Sequence, residues 1–252
     1  MSSDAETASY ILSLGDQLYK TFGFFIIVIC TIGNLCNCFV FLFISPLNKH
    51  PNALFLVGAA IGSLLFINVG LWTNMIRIFT GFDLVNRLLF FCKITTWLTY
   101  AGGCFSFMCY CFAGLCQFVI LSPNPNWQRL LTRTRAKSII ISTATIYILI
   151  FSPLLISNTI YEITPTISVC KGSIRIINLY TSYCAIVGYY FLPALLTLVL
   201  FGLTWYNFQQ FLRRQLSIEG VVTRMMLIQM SSILLSGIPT GIFVCYMLMT
   251  QS

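Results

Sequence analysis

One histidine, six carboxylates and eleven cysteines are the groups in these 252 residues that could supply acid–base, metal or nucleophilic chemistry. Their spacing keeps them apart. A metal centre needs three or four converging ligands, and His50 stands alone in a loop beside Pro51. The carboxylates Asp4, Glu6, Asp16, Asp83, Glu162 and Glu219 all fall in the amino-terminal tail or in loops. None is therefore placed inside an apolar stretch, where a proton relay or ion site would need it. There is no phosphate-cradling glycine loop, no arginine at every third position to sense voltage, and no carbonyl-filter motif. We expect no catalytic residue, no metal and no cofactor, and hence no enzyme. Nine of the cysteines, Cys30, Cys36, Cys38, Cys104, Cys109, Cys111, Cys116, Cys184 and Cys245, sit within apolar runs and read as small apolar packing residues.

The elements that must carry these side chains follow from composition. The chain is 58% hydrophobic and 8% charged, against about 25% charged in soluble domains. That excludes a soluble core, a disordered tail and a nucleic-acid-binding domain, despite a net charge of +8. The apolar runs exceed the roughly 20 residues that cross the hydrocarbon core as a helix, and they lack the alternation of barrel strands. The expected fold class is all-α, a polytopic transmembrane helix bundle. Six spans are expected, near Phe22 to Ile44, Ala53 to Phe79, Leu88 to Leu121, Ser138 to Ile160, Ile177 to Phe208 and Val221 to Met249. Residues 1–21 form an extracellular tail, 22–250 the bundle and 251–252 the terminal residues. The tail has acids and no basic n-region, so no cleaved signal peptide is expected. No Asn-x-Ser/Thr glycosylation triplet occurs.

With the amino terminus outside, the inner loops hold Lys49, Arg129, Arg133, Arg135, Lys137, Arg213, Arg214 and Arg224. The outer segments hold Lys20, Arg77, Arg87, Lys93, Lys171 and Arg175. Eight basic residues inside against six outside gives this orientation modest support. The inner clusters abut span ends, where anionic lipid would attract them. Within the spans, Asn34, Asn37, Ser63, Gln229, Ser231 and Ser232 read as interhelical hydrogen bonders. Gly58 with Gly62, and Gly237 with Gly241, let backbones approach, either in general packing or at a dimer face.

The run Gly33, Asn34, Leu35, Cys36, Asn37 in the first span resembles the Gly-Asn-x-x-Asn element of rhodopsin-like (class A) G-protein-coupled receptors. The likeness extends to Cys92 at the head of the third span and Cys170 between the fourth and fifth, the positions of that family's disulfide. These are also the two cysteines outside the apolar cores, both on the expected oxidising side. Pro193 in the fifth span and Pro239 in the sixth match the family's helix-bending prolines, which would act as hinges. The flavour is that of divergent, orphan invertebrate receptors.

Departures accompany the likeness. Where the family carries Asp-Arg-Tyr, this chain has Cys116, Gln117 and Phe118, so the family's ionic lock cannot form. The sodium-binding aspartate position is Ser63, the tryptophan before Pro239 is Gly237, and Thr99 stands where amine receptors place an aspartate. No seventh helix with Asn-Pro-x-x-Tyr follows the sixth span, which reads as a truncated or degenerate receptor.

The resemblance implies a plasma-membrane receptor, multi-pass with its amino terminus outside, binding an extracellular ligand between its helices and signalling to a heterotrimeric G protein. The implied ligand residues are Thr99, Tyr100, Gly103, Ala185, Tyr189, Thr240 and Val244, uncharged and suited to an apolar or weakly polar ligand. The tyrosines read equally as membrane-interface aromatics. Cys116, Gln117, Phe118, Arg133, Arg135, Arg213 and Arg214 would face the G protein, or else form a basic rim on lipid. Asn34, Ser63, Pro193 and Pro239 would serve packing and hinging. Implied partners are the ligand, the G protein, membrane lipid and a possible receptor dimer, with no nucleic acid. Alternatives are a non-signalling protein that associates with full-length receptors, and a six-span transporter or channel subunit.

Overall fold

The computed structural model describes residues 10, 13–15, 17–45, 47–122, 131–164, 167–212, 228 and 231. Five helices in it are long and apolar enough to cross a membrane: Ser13–Phe43, Pro51–Thr80, Leu89–Ile120, Arg133–Ser157 and Arg175–Asn207. We refer to them as the first to fifth helices. The expected sixth span lies outside the described residues apart from Ile228 and Ser231, both helical.

The boundaries have local causes. Pro51 opens the second helix at its first turn, after an extended His50, a position where proline's missing N–H costs nothing. Gly81, at φ 70°, closes it with its N–H on the Arg77 carbonyl. Thr132 caps the fourth helix by accepting from the Arg135 amide at 3.3 Å. At Ser152 that helix is interrupted and restarts on Pro153 for one short turn.

Burial orders the bundle around the third helix, 61% of whose apolar 18-residue stretch is enclosed against 11–44% in the other four. Gly62 lets the second helix lie directly on it. A Cβ there would stand 2.7 Å from the Gly102 carbonyl oxygen and 2.9 Å from Phe105 and Ser106. Ser63 and Ser106 share a hydrogen bond of 2.7 Å, and the Ser106 hydroxyl also reaches the Ala59 carbonyl at 2.8 Å. The Gly58 and Gly62 stripe is thus consumed inside the bundle, against the third helix. The first helix, by contrast, turns Phe25, Ile29, Ile32, Leu35, Phe39 and Phe43 outward, which in a bilayer is a lipid-facing surface. Asn34 keeps its amide bonded to its own Cys30 carbonyl at 2.8 Å.

Among the described residues the departure from an all-α fold is a hairpin, β1 (Asn158–Thr164) antiparallel to β2 (Ile167–Gly172). The expected fourth span, Ser138 to Ile160, is corrected at both ends. The helix begins at Arg133 and stops at Ser157, and Thr159, Ile160 and Tyr161 belong to β1. Those β-branched and aromatic residues pack well on a pleated surface, and Ser173 closes the hairpin base through its N–H on the Ser157 carbonyl at 2.7 Å.

Candidate functional site: a cavity beneath a tethered hairpin

Beyond the π-helical turn Tyr19–Gly23 in the first helix, two more occur, Phe66–Leu71 in the second and Ile186–Phe191 in the fifth. The second of these immediately precedes Pro193, which cannot donate to the Tyr189 carbonyl and whose ring crowds it. Widening the preceding turn relieves that crowding. In the second helix the side chains of Asn68, Thr73 and Asn74 bond to the carbonyls of Leu64, Val69 and Gly70. Such turns recur at functional sites because they redirect side chains.

Here they redirect side chains into one space. A cavity of about 340 Å³ is lined by Phe66 from the π turn of the second helix, Ile186, Tyr189 and Tyr190 from that of the fifth, Ser182 and Ala185 just before it, and Thr99 and Tyr100 from the third helix. Tyr189 is its keystone. Its hydroxyl donates to the Thr99 carbonyl at 2.7 Å, and its ring meets those of Phe66, Tyr100, Phe107 and Tyr190 at centroid distances of 5.6–6.4 Å. Among the described residues no charged side chain lines the wall.

Toward the hairpin end lies a more polar space of about 430 Å³, which shares Thr99 and Tyr100 with the inner cavity. Its wall includes Arg77, Asp83, Asn86, Thr95 and Cys170. Arg77 and Asp83 approach to 4.0 Å. Over this vestibule the hairpin is held twice. Cys92 and Cys170 are joined by a disulfide with Cα atoms 5.7 Å apart. Asn86 supplies the second hold: its Oδ1 accepts from the Cys170 amide at 2.6 Å and its carbonyl from the Ser168 hydroxyl at 2.6 Å. Asp83 orients Asn86 by accepting from its backbone N–H and its side-chain amide.

Of the ligand residues expected from the sequence, Thr99, Tyr100, Ala185 and Tyr189 share the cavity wall. Gly103 is not among the residues that line it and instead makes room for Tyr189, since a Cβ there would collide with the Tyr189 ring and hydroxyl. Thr240 and Val244 lie outside the described residues, as do Pro239, Arg213 and Arg214. Phe66, Ser182, Ile186 and Tyr190 were not anticipated. Tyr190 carried a signal, standing three residues before Pro193 on the turn that proline disturbs; Phe66 carried none.

At the opposite end of the bundle, the triplet expected to face a partner is largely enclosed. Cys116 and Gln117 are 0% and 1% exposed, because the end of the third helix is wrapped by the second and fourth. Gln117 accepts a 2.9 Å hydrogen bond from Asn52, and Phe118 is half-buried. Arg133 and Arg135 are exposed. Cys116 belongs to an apolar cluster with Phe41, Phe55, Leu56, Ala113 and Ala136. Among the described residues there is no cluster of His, Cys, Asp or Glu that could hold a metal ion.

Neither a protein-family model nor a curated protein sequence matches this chain. What the fold itself defines is a helical chain with five helices of membrane-spanning length and apolarity, carrying an uncharged aromatic cavity under a disulfide-tethered hairpin.

Proposed function

We propose that this chain is a rhodopsin-like receptor of the plasma membrane, its hairpin end outside, which binds an extracellular ligand between its helices and signals to a heterotrimeric G protein. The observation that carries the reading is the pair of spaces sharing Thr99 and Tyr100, the outer one under the hairpin and the inner one between the third and fifth helices. A solute entering from the hairpin end meets polar groups first and the aromatic cavity second. Occupation of that cavity bears on Tyr189 and the π turn next to Pro193. It can shift a conformational equilibrium only by favouring one arrangement of that turn.

The test is nucleotide exchange on each class of G protein in membranes containing the chain, with and without candidate ligands. Stimulated exchange supports the reading. Absence of exchange with every class, from protein delivered to the cell surface, contradicts it.

The opposite end favours a second reading. Where the resembled family presents an arginine, Gln117 is buried and bonded to Asn52. A chain that associates with full-length receptors and does not itself signal needs no exposed group there. Co-purification with a receptor together with absent exchange would select it.

A further inference from the structure

Resting on the receptor reading of this cavity, we infer that its ligand class is small, uncharged aromatic molecules that carry one oxygen able to accept a hydrogen bond, such as aryl ketones, aldehydes and esters. Three observations converge. First, size: an apolar cavity of about 150 Å³ takes one benzene ring, so a cavity of about 340 Å³ takes a ring with a substituent of similar bulk. It stands at the small end of the roughly 300–1,000 Å³ range of ligand pockets.

Second, the wall is aromatic and neutral. Phe66, Tyr100, Tyr189 and Tyr190 offer ring faces and edges on which a flat ring stacks favourably. Among the described residues no charge lies on this wall to balance an ammonium or carboxylate, and an unpaired charge transferred there from water is strongly disfavoured. Arg77 and Asp83 instead line the outer vestibule, 4.0 Å from each other.

Third, the polar groups on the wall are hydroxyls with capacity to spare. Tyr189 spends its hydroxyl on the Thr99 carbonyl. The hydroxyls of Tyr100, Ser182 and Tyr190 make no hydrogen bond within the described residues, and all three residues line the cavity. A ligand oxygen would be met by a donor, and a pure hydrocarbon would leave those hydroxyls unused.

The test is isothermal titration of the full chain in phosphatidylcholine nanodiscs, with empty nanodiscs subtracted, using acetophenone, ethylbenzene, benzoate and benzylammonium. We expect saturable binding of acetophenone, about tenfold weaker binding of ethylbenzene, and at least about 100-fold weaker binding of both ions. Ala185→Trp, which fills the cavity, should abolish acetophenone binding. The paired substitution Ser182→Ala with Tyr190→Phe keeps the shape, and should weaken acetophenone about tenfold while leaving ethylbenzene unchanged. Benzoate or benzylammonium binding as tightly as acetophenone would overturn the inference. So would acetophenone uptake that is not saturable, or that neither set of substitutions alters. Because no G protein is present, the ligand class and the signalling reading fail separately. Exchange without acetophenone binding removes the class, and binding without exchange removes the signalling.

Discussion

Asn52, in the first turn of the second helix, donates through its side-chain amide to the Gln117 carboxamide oxygen near the end of the third, at 2.9 Å and with both residues 1% exposed. The bond ties the second helix to the third at the end of the bundle opposite the hairpin. A buried polar group deprived of its partner costs about 1–3 kcal/mol, whereas two apolar groups of similar size can replace both partners nearly neutrally. Gln117→Leu and Asn52→Leu should each lower stability by about 1–3 kcal/mol, measured by unfolding in detergent micelles. The double substitution should cost clearly less than the two together. Strict additivity would mean the pair is not coupled.

Packing of the second helix on the third predicts a sharp contrast between two glycines. Gly62→Ala sets a Cβ 2.7 Å from the Gly102 carbonyl oxygen, an overpacking that should cost about 1–3 kcal/mol. Gly33→Ala meets nothing within 4 Å. It should leave stability unchanged or raise it slightly, because alanine favours the helix. The same unfolding assay checks both, and equal effects would refute the close approach.

Much of this arrangement could be read from residue types. The apolar runs announced the long helices, and Gly81 announced the end of the second. Pairing of Cys92 with Cys170 came from resemblance, and the bond is present in the structure. The hairpin was missed for a physical reason: Thr159, Ile160 and Tyr161 continue an apolar run, and a short stretch without clear period fits helix or strand alike. Strand won because the chain returns through Ser168 and Cys170 to meet Asn86, a partner 82–84 residues distant in sequence. Burial of Gln117 and entry of Phe66 into the cavity are likewise long-range outcomes of packing. The π turn before Pro193 was within reach, since a proline inside a helix always disturbs the turn before it.

The hairpin's two tethers should be separable. Cys92→Ser, Cys170→Ser and the double substitution should lower stability by the same amount, about 2–4 kcal/mol, because each breaks the same bond. Asn86→Ala leaves the disulfide in place and removes a side-chain hold on the Cys170 amide. It should speed hydrogen exchange at that amide, with a stability loss of about 1–3 kcal/mol. Unchanged exchange there would show the clip to be dispensable.

Tyr189 occupies the space that Gly103 leaves free. Gly103→Ala should expel the ring and break the bond to the Thr99 carbonyl, costing more stability than Tyr189→Phe, which forfeits only the hydroxyl and about 0.5–1.5 kcal/mol. In a Tyr189→Ala background the Gly103→Ala penalty should largely vanish. A penalty of the same size in both backgrounds would mean that Gly103 answers to some other neighbour.

Sidedness is where the whole account is most directly exposed to measurement. Single cysteines introduced as Asp83→Cys, Glu162→Cys, Lys49→Cys and Arg133→Cys, in a chain whose free cysteines are replaced by serine or alanine, can be probed with a membrane-impermeant maleimide. Positions 83 and 162 should react on intact cells, with 49 and 133 reacting only after permeabilisation. Labelling of 83 and 162 on opposite faces, or of 49 and 133 on intact cells, would contradict a helix bundle that opens its cavity to the outside beneath the tethered hairpin.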